Sequence, residues 1–566
     1  MNSEHDAGRA RPLALALVAL LGMGLALLMV RPHAEHVAAA KAPAKSVLSS
    51  FAPAAKAAAH AVPAAPKPAK AAPAAVTVSP AVEAPRRHAD SIVRAPVVEV
   101  QAASDNPPAK GGETTPGEPP DINTPRIETD APPPPPEPLT ITDPQVVAAS
   151  SSSIQIAFKT SLPAQTRVSY GIGTPVIWSD ASATDTLDHQ VEIDGLAFST
   201  TYQIWLHAID EYGQTQAAAL TIATAPMADQ TIATTSGSKI LLDGQPYFPI
   251  MVWQECSDGL GSSLADGINL FMGEGCGTAQ QDRQLAGHVS GRAYSVVSAN
   301  DAATHGRGVI GWYFPDEWDA FLESNVTRAD IAGQIPDGQP GKISFLTLTN
   351  HFYSHADPLP QGRGMYPLLY SLVDAVGFDL YPLQVWCKPA FGDVMDAQHE
   401  LVGATGGKPT FQWIEVAKME HPCHDNPSLD PTPATVKAET WLAIAGGADG
   451  VGYFPNHWSG DIGATIADTN RQIQSLAPAL LAPTANASTN APAVRVSARS
   501  LNGALYVIAV NTGYDTVQAK VSVEGISGRS ATIVGDGAVL GSDDTGFTDT
   551  FGPLAAKVYV VPPQGW

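Results

Sequence analysis

Positive charge is scarce in this chain. Among 566 residues, 32 are Lys or Arg and 55 are Asp or Glu, a formal net charge of −23. Such a surface repels phosphate, which argues against a nucleic-acid partner and for neutral or cationic ones. Charge of either sign is sparse at 15%, against 44% hydrophobic residues, as in globular domains. Cysteine is limited to four residues with no CxxC spacing. That spacing speaks against a metal site, and neither metal nor cofactor is expected. Internal repeats are lacking. Long hydrophobic runs are lacking too, with one exception.

The exception is Leu13–Val30, 18 apolar residues preceded by Arg9 and Arg11. A membrane span needs about 20 residues and a signal-peptide core about 7–15. Residues 1–36 therefore read as a signal anchor or a signal peptide. The alanines at 38–40 leave cleavage open. Either way the rest is expected outside the cell or at its surface, held by one N-terminal helix if that helix is retained. Residues 37–138 are rich in Ala and Pro without an apolar face, as in DAPPPPPEPL. They read as a disordered spacer.

Beyond the spacer the chain reads as multidomain. Residues 139–228 show period-2 stretches, IQIAFKT, TRVSYGI, HQVEIDGL, TYQIWLHAID and AAALTIATA, divided by turn residues. These predict a β-sandwich. The run DGLAFSTTYQIWLHAIDEYGQ resembles the fibronectin type III pattern, with Tyr202 as its buried corner tyrosine. Residues 236–485 alternate strands with helical patterns. The strands are 247–253, 268–275, 293–297, 309–317, 342–350, 375–383, 409–416 and 450–458. Such alternation predicts a (β/α)8 TIM barrel. Residues 490–566 return to alternation and predict a small all-β domain.

A barrel of this kind gathers its chemistry at the C-terminal ends of its strands. Those ends carry Trp253, Glu255, Glu274, Asp316, Glu317, Asn350, His351, Asp379, Tyr381, Glu415, Asn456, His457 and Trp458. Carboxylates beside aromatics suit carbohydrate, because sugar rings stack on Trp and Tyr while carboxylates bind hydroxyls or move protons. The same layout favours disulfides Cys256–Cys276 and Cys387–Cys423, each joining neighbouring loops of one rim.

The stretches LLDGQPYFPIMVW, GWYFPDEWD and AIAGGADGVGYFPNHW resemble, in this order, motifs of (β/α)8 glycoside hydrolases whose catalytic glutamates end strands 4 and 7. The resemblance implies an exported or cell-surface glycoside hydrolase, retaining, acting on a β-linked glycan. Glu317 matches the strand-4 acid/base and Glu415 the strand-7 nucleophile. Glu317 then needs an apolar wall or a like charge to stay protonated. Trp312, Trp318 and Asp316 are placed to provide these. Tyr381 is expected to hydrogen-bond Glu415. Trp253, Glu274, Asp316, Asn350, His351 and Trp458 are expected to hold substrate. Asp379, by contrast, reads as structural. Asp316 departs from the Asn that often precedes the strand-4 glutamate.

A second reading keeps the architecture without the chemistry: a glycan-binding or adhesion protein with a degenerate barrel. A close pair of carboxyls argues for the enzyme, since retaining glycosidases hold theirs about 5–5.5 Å apart. A monomer is expected in either case.

Overall fold

In a computed structural model, the described residues are 77–78, 137–183, 185–273, 279–298, 306–322, 339–420, 423 and 425–566. Leu13–Val30 and nearly all of the spacer lie outside them. Among the described residues no helix is long and apolar enough to cross a membrane.

The first unit is an antiparallel sandwich. Its central strand, Ser153–Gly171, is continuous where the sequence reads as two. Residues 153–159 pair with Thr186–Asp194, and residues 164–171 pair with Thr201–Asp210. The change of partner falls at Pro163, whose missing N–H interrupts the ladder. Tyr202 is buried, and its hydroxyl accepts the Ala197 N–H at 2.9 Å, the contact expected of a corner tyrosine. Ile141–Ala149 adds a strand to this sheet.

A hairpin, Lys239–Leu242 and Gln245–Tyr247, leads into the barrel. Its two-residue turn is Asp243–Gly244, both at positive φ, as a type I′ turn requires. Ile240 and Leu242 join the hydrophobic cluster of the barrel interior.

Eight parallel strands close on one another. They are β1 (Ile250–Trp253), β2 (Leu270–Met272), β3 (Tyr294–Ser298), β4 (Val309–Tyr313), β5 (Ile343–Leu348), β6 (Ala375–Asp379), β7 (Thr410–Glu415) and β8 (Gly450–Phe454). Seven described helices accompany them. These are α1 (Leu260–Ala265), α2 (Ala279–Val289), α3 (Trp318–Phe321), α4 (Tyr366–Leu372), α5 (Phe391–Ala404), α6 (Pro433–Ala445) and α7 (Gly460–Leu480).

Strand residues alternate between two cores. Met251, Trp253, Phe345, Phe411 and Trp413 fill the interior. Val252, Phe271, Trp312, Val376, Ile414 and Tyr453 pack under the helices. The interior aromatics have room because glycines lie opposite them. Phe411 pairs in register with Gly377, and Trp413 with Gly452. A Cβ on Gly377 would come within 2.0 Å of the Phe411 ring, and one on Gly452 within 2.2 Å of the Trp413 ring.

Two sheets form the C-terminal unit around Val507, Val521, Phe551 and Tyr559. The strand Ala504–Asn511 is buried on both faces. Val507 and Ala509 serve that small core, while Tyr506, Ile508 and Val510 join the cluster of the barrel's helical layer. The sandwich is tied to the same region. Arg167 donates to the Asn502 carbonyl at 2.8 Å, the Asn502 amide donates to the Trp178 carbonyl at 2.9 Å, and Ser475 donates to the Ile172 carbonyl at 3.1 Å.

Candidate active site

The β4 strand ends where Pro315 removes a donor. The next residues cannot continue the ladder, and the chain turns sharply into α3. Glu317 takes the turn at φ 47°, a left-handed conformation costly for a side chain with a Cβ. Phe314 and Trp318 stack across the turn, with centroids 5.3 Å apart and an interplanar angle of 2°. Gln254 after β1 and Cys387 after β6 also have positive φ, so three such residues lie on this rim.

The turn brings Asp316 and Glu317 towards Asp379, the last residue of β6. The Glu317 and Asp379 carboxyls lie side by side. Burial raises Glu317 well above the usual carboxylate range, and the neighbouring Asp316 and Asp319 charges add to the rise. Asp379 is raised for the same reason, burial first and then Asp316 and Glu317. Asp316 lies in a concave mouth. Burial by surrounding protein raises its carboxyl to about 7, the Glu317 N–H that it accepts opposes the rise, and the Asp319 charge adds to it. Asp319 sits behind them, fully buried. It accepts from the Thr349 N–H at 2.9 Å, the Thr349 hydroxyl at 2.5 Å and the Tyr366 hydroxyl at 2.9 Å.

A small, open-mouthed cleft lies over this group. Trp253, Asp316, Asp379, Tyr381, Trp413 and Phe454 line it. Trp253 meets Tyr313 and Trp413 edge-on, with centroids 5.0 and 5.7 Å apart. Trp413 is anchored by its Nε1, which donates to Thr347 Oγ1 at 3.0 Å. Tyr381 stacks on Phe454 at 5.9 Å. Of the expected residues, Trp253, Asp316, Glu317 and Tyr381 therefore come together.

Others stand elsewhere. Glu415 is fully buried, and its two oxygens accept the Leu383 N–H at 2.7 Å and the Gln384 N–H at 2.8 Å. It thereby holds the loop that follows β6. The expected bond from Tyr381 to Glu415 is not made. The Tyr381 hydroxyl donates to Asp379 Oδ1 at 3.0 Å instead, because both project from the same strand end. Trp312 and Trp318 do not wall the cleft. They face the layer under the helices, as strand alternation dictates for Trp312. Trp458 donates from Nε1 to Asp266 at 2.8 Å and packs against Tyr453. Asn350 opens a 3-10 turn whose next residue, His351, meets the Asp357 carbonyl through its ring, and neither lines the cleft. Glu255 bonds Ser263 and the Cys256 N–H, as a loop support does. Glu274 lies outside the described residues.

Cys387 and Cys423 form a disulfide with Cα atoms 5.2 Å apart. The other expected bond involves Cys276, which lies outside the described residues. No group of three or more His, Cys, Asp or Glu suited to a metal ion occurs among the described residues. Trp413 and Phe454 are cleft residues that the sequence did not single out, and Asp379, expected to be structural, lines the cleft with them. Asp379 carried a signal, since it ends β6 two residues before Tyr381. Trp413 sits inside an apolar strand like any core residue.

No family model matches the chain, and no curated protein matches it. Solved structures do resemble it in architecture. One is a putative alpha-galactosidase/melibiase from Bacteroides fragilis, at 11% identity and a TM-score of 0.40, covering 75% of this chain and 98% of that one. Another is a beta-glucuronidase from Ruminococcus gnavus, at 10% identity and a TM-score of 0.31, covering 59% and 67%. A third is a GH2 beta-galacturonidase from Eisenbergiella tayi, at 11% identity and a TM-score of 0.32, covering 59% and 72%. Overlap this loose assigns no residue of this chain a role.

Proposed function

We propose that the protein is a glycoside hydrolase whose chemistry is carried by Asp316, Glu317 and Asp379. The observation that supports this most is the meeting of Asp316 and Asp379, from the ends of β4 and β6, in one aromatic-lined cleft with Glu317 beside them. Hydrolysis needs a protonated carboxyl beside the leaving oxygen and a charged one near the anomeric carbon. The Glu317–Asp379 pair holds the proton and gives it to the glycosidic oxygen as the C–O bond breaks. Asp316, reached by solvent, carries the charge that stabilises the oxocarbenium-like centre, and water then adds to that carbon as its proton returns to the Glu317–Asp379 pair. Trp253 and Trp413 supply apolar faces for the sugar.

Retention at a β-linkage belongs to the resemblance that makes Glu415 the nucleophile. That role requires Glu415 to leave the Leu383 and Gln384 amides. The anomer formed first, read by NMR, decides the stereochemistry.

The primary test is release of sugar from a panel of aryl glycosides and polysaccharides. Asp316→Asn and Asp379→Asn are expected to lower turnover by about 100-fold or more, as for loss of a general acid or base. Glu415→Gln is expected to lower thermal stability and leave a larger share of turnover. Full activity in both aspartate variants would sink this assignment. Binding of glycan without release from any substrate would favour the non-catalytic reading, which draws on the sealed position of Glu415.

We propose further that the chain is exported, through the Leu13–Val30 segment, and acts as a monomer on carbohydrate. Cell fractionation with an antibody to the C-terminal unit checks the export.

A further inference from the structure

We infer that the cleft takes a sugar bearing a free ammonium group, an amino sugar in place of a neutral, N-acetylated or uronic one. The inference rests on the hydrolase reading and names its substrate class. The first ground is the lining. Four of the six lining residues are aromatic, two are carboxylic, and none is basic among the described residues. Aromatic faces and carboxylates are what a cation seeks. A ring attracts an ammonium within about 6 Å of its centroid, more strongly where water is excluded.

The second ground is rigidity. Trp253 is held between Tyr313 and Trp413, Trp413 is bonded to Thr347, and Tyr381 is held by Phe454 and Asp379. These rings keep their places without a ligand, so little side-chain freedom is lost on binding.

The third ground is a surplus of acid. Glycoside hydrolysis uses a pair of carboxyls. Here Asp316, Glu317 and Asp379 meet, and Asp319, already held by Thr349 and Tyr366, adds like charge from behind. A neutral sugar leaves the surplus carboxylate without a counter-charge. A uronate adds a further negative charge to the cluster. An ammonium neutralises the surplus one and leaves the working pair intact. The chain's net charge of −23 draws the same class of ligand from solution.

The test is calorimetric titration of the full chain at pH 6 with methyl 2-amino-2-deoxy-hexopyranosides of the gluco and galacto series. Their 2-hydroxy, 2-acetamido and uronic counterparts are the comparison. The amino sugars are expected to bind about tenfold more tightly than their hydroxyl counterparts. Their binding weakens as salt is raised and releases protons, read by repeating the titration in buffers of different ionisation heat. Asp316→Asn is expected to reduce the preference. Equal or tighter binding of neutral or uronic sugars, or no binding of any, overturns the inference. Turnover of the matching aryl glycosides separates the two readings. Hydrolysis of neutral hexosides alone would leave the hydrolase standing and sink the ammonium preference. Selective binding of amino sugars with no turnover would do the reverse.

Discussion

Glu439 is a buried charge without compensation. It lies on α6, fully buried, and neither carboxylate oxygen has a hydrogen-bond partner among the described residues. Burial raises it well above 4.5, and the Glu415 charge adds to the rise. An unpaired carboxylate there is costly, so the folded protein holds the proton. The sign of the pH dependence follows. A carboxyl raised by folding contributes stability that is full below its unfolded value near 4.5 and is lost as pH climbs through the folded value. Melting temperature is therefore expected to fall between pH 5 and pH 8. Glu439→Gln removes part of that slope: it raises the melting temperature at pH 8 and changes it little at pH 5. A wild-type melting temperature that climbs over this range, or a variant with an unchanged slope, contradicts the account. The sequence showed Glu439 only as one polar letter in a helical run. Its burial is invisible until a second layer is known to cover the helix.

Among the elements, β6, β7 and β8 depend on one another through their glycines. Phe411 and Trp413 can point inward only because Gly377 and Gly452 stand opposite. Gly452→Ala would put a Cβ 2.2 Å from the Trp413 ring, and one of the two strands must yield. Overpacking of this kind costs about 1–3 kcal/mol. Because Trp413 lines the cleft, the variant is also expected to bind sugar less well. Denaturant unfolding and a binding titration check both effects. Normal stability with normal binding would mean that Trp413 has room elsewhere. All eight strands of the barrel were legible as apolar runs, and the C-terminal β character was legible as alternation. The matching of glycine to ring was not, because it depends on register between strands far apart in the chain. The single strand Ser153–Gly171 was missed for a similar reason. Pro163 looked like a break, and only the switch of partners at that residue shows the strand passing through it.

At the scale of the molecule, α6 is enclosed, with α5 and α7 beside it. Ten of its 13 residues are buried. One side meets β7 and β8, and the other meets the C-terminal strand Ala504–Asn511. A helix buried all round needs cover on every side. A chain ending at residue 485 would lay bare the side that meets Ala504–Asn511. It is expected to aggregate where the full chain remains monodisperse. Size-exclusion chromatography of both checks this, and a soluble, active truncation would show that the C-terminal unit is dispensable.

The sequence by itself determined the order of units, the barrel, the corner tyrosine and the rim on which polar residues collect. These follow from local rules: the period of apolar residues, the breaks set by proline and glycine, and the placement of loops at strand ends. It also put Trp253, Asp316, Glu317 and Tyr381 at that rim. Only the tertiary structure decided which carboxyls meet. Strand ends are separated by their angle around the barrel and by the reach of each turn, and neither is written in spacing along the chain. The left-handed turn at Glu317 sends its carboxyl to Asp379. The loop after β6 folds back and occupies Glu415 with two amide groups. Chemistry expected between β4 and β7 is therefore proposed here between β4 and β6.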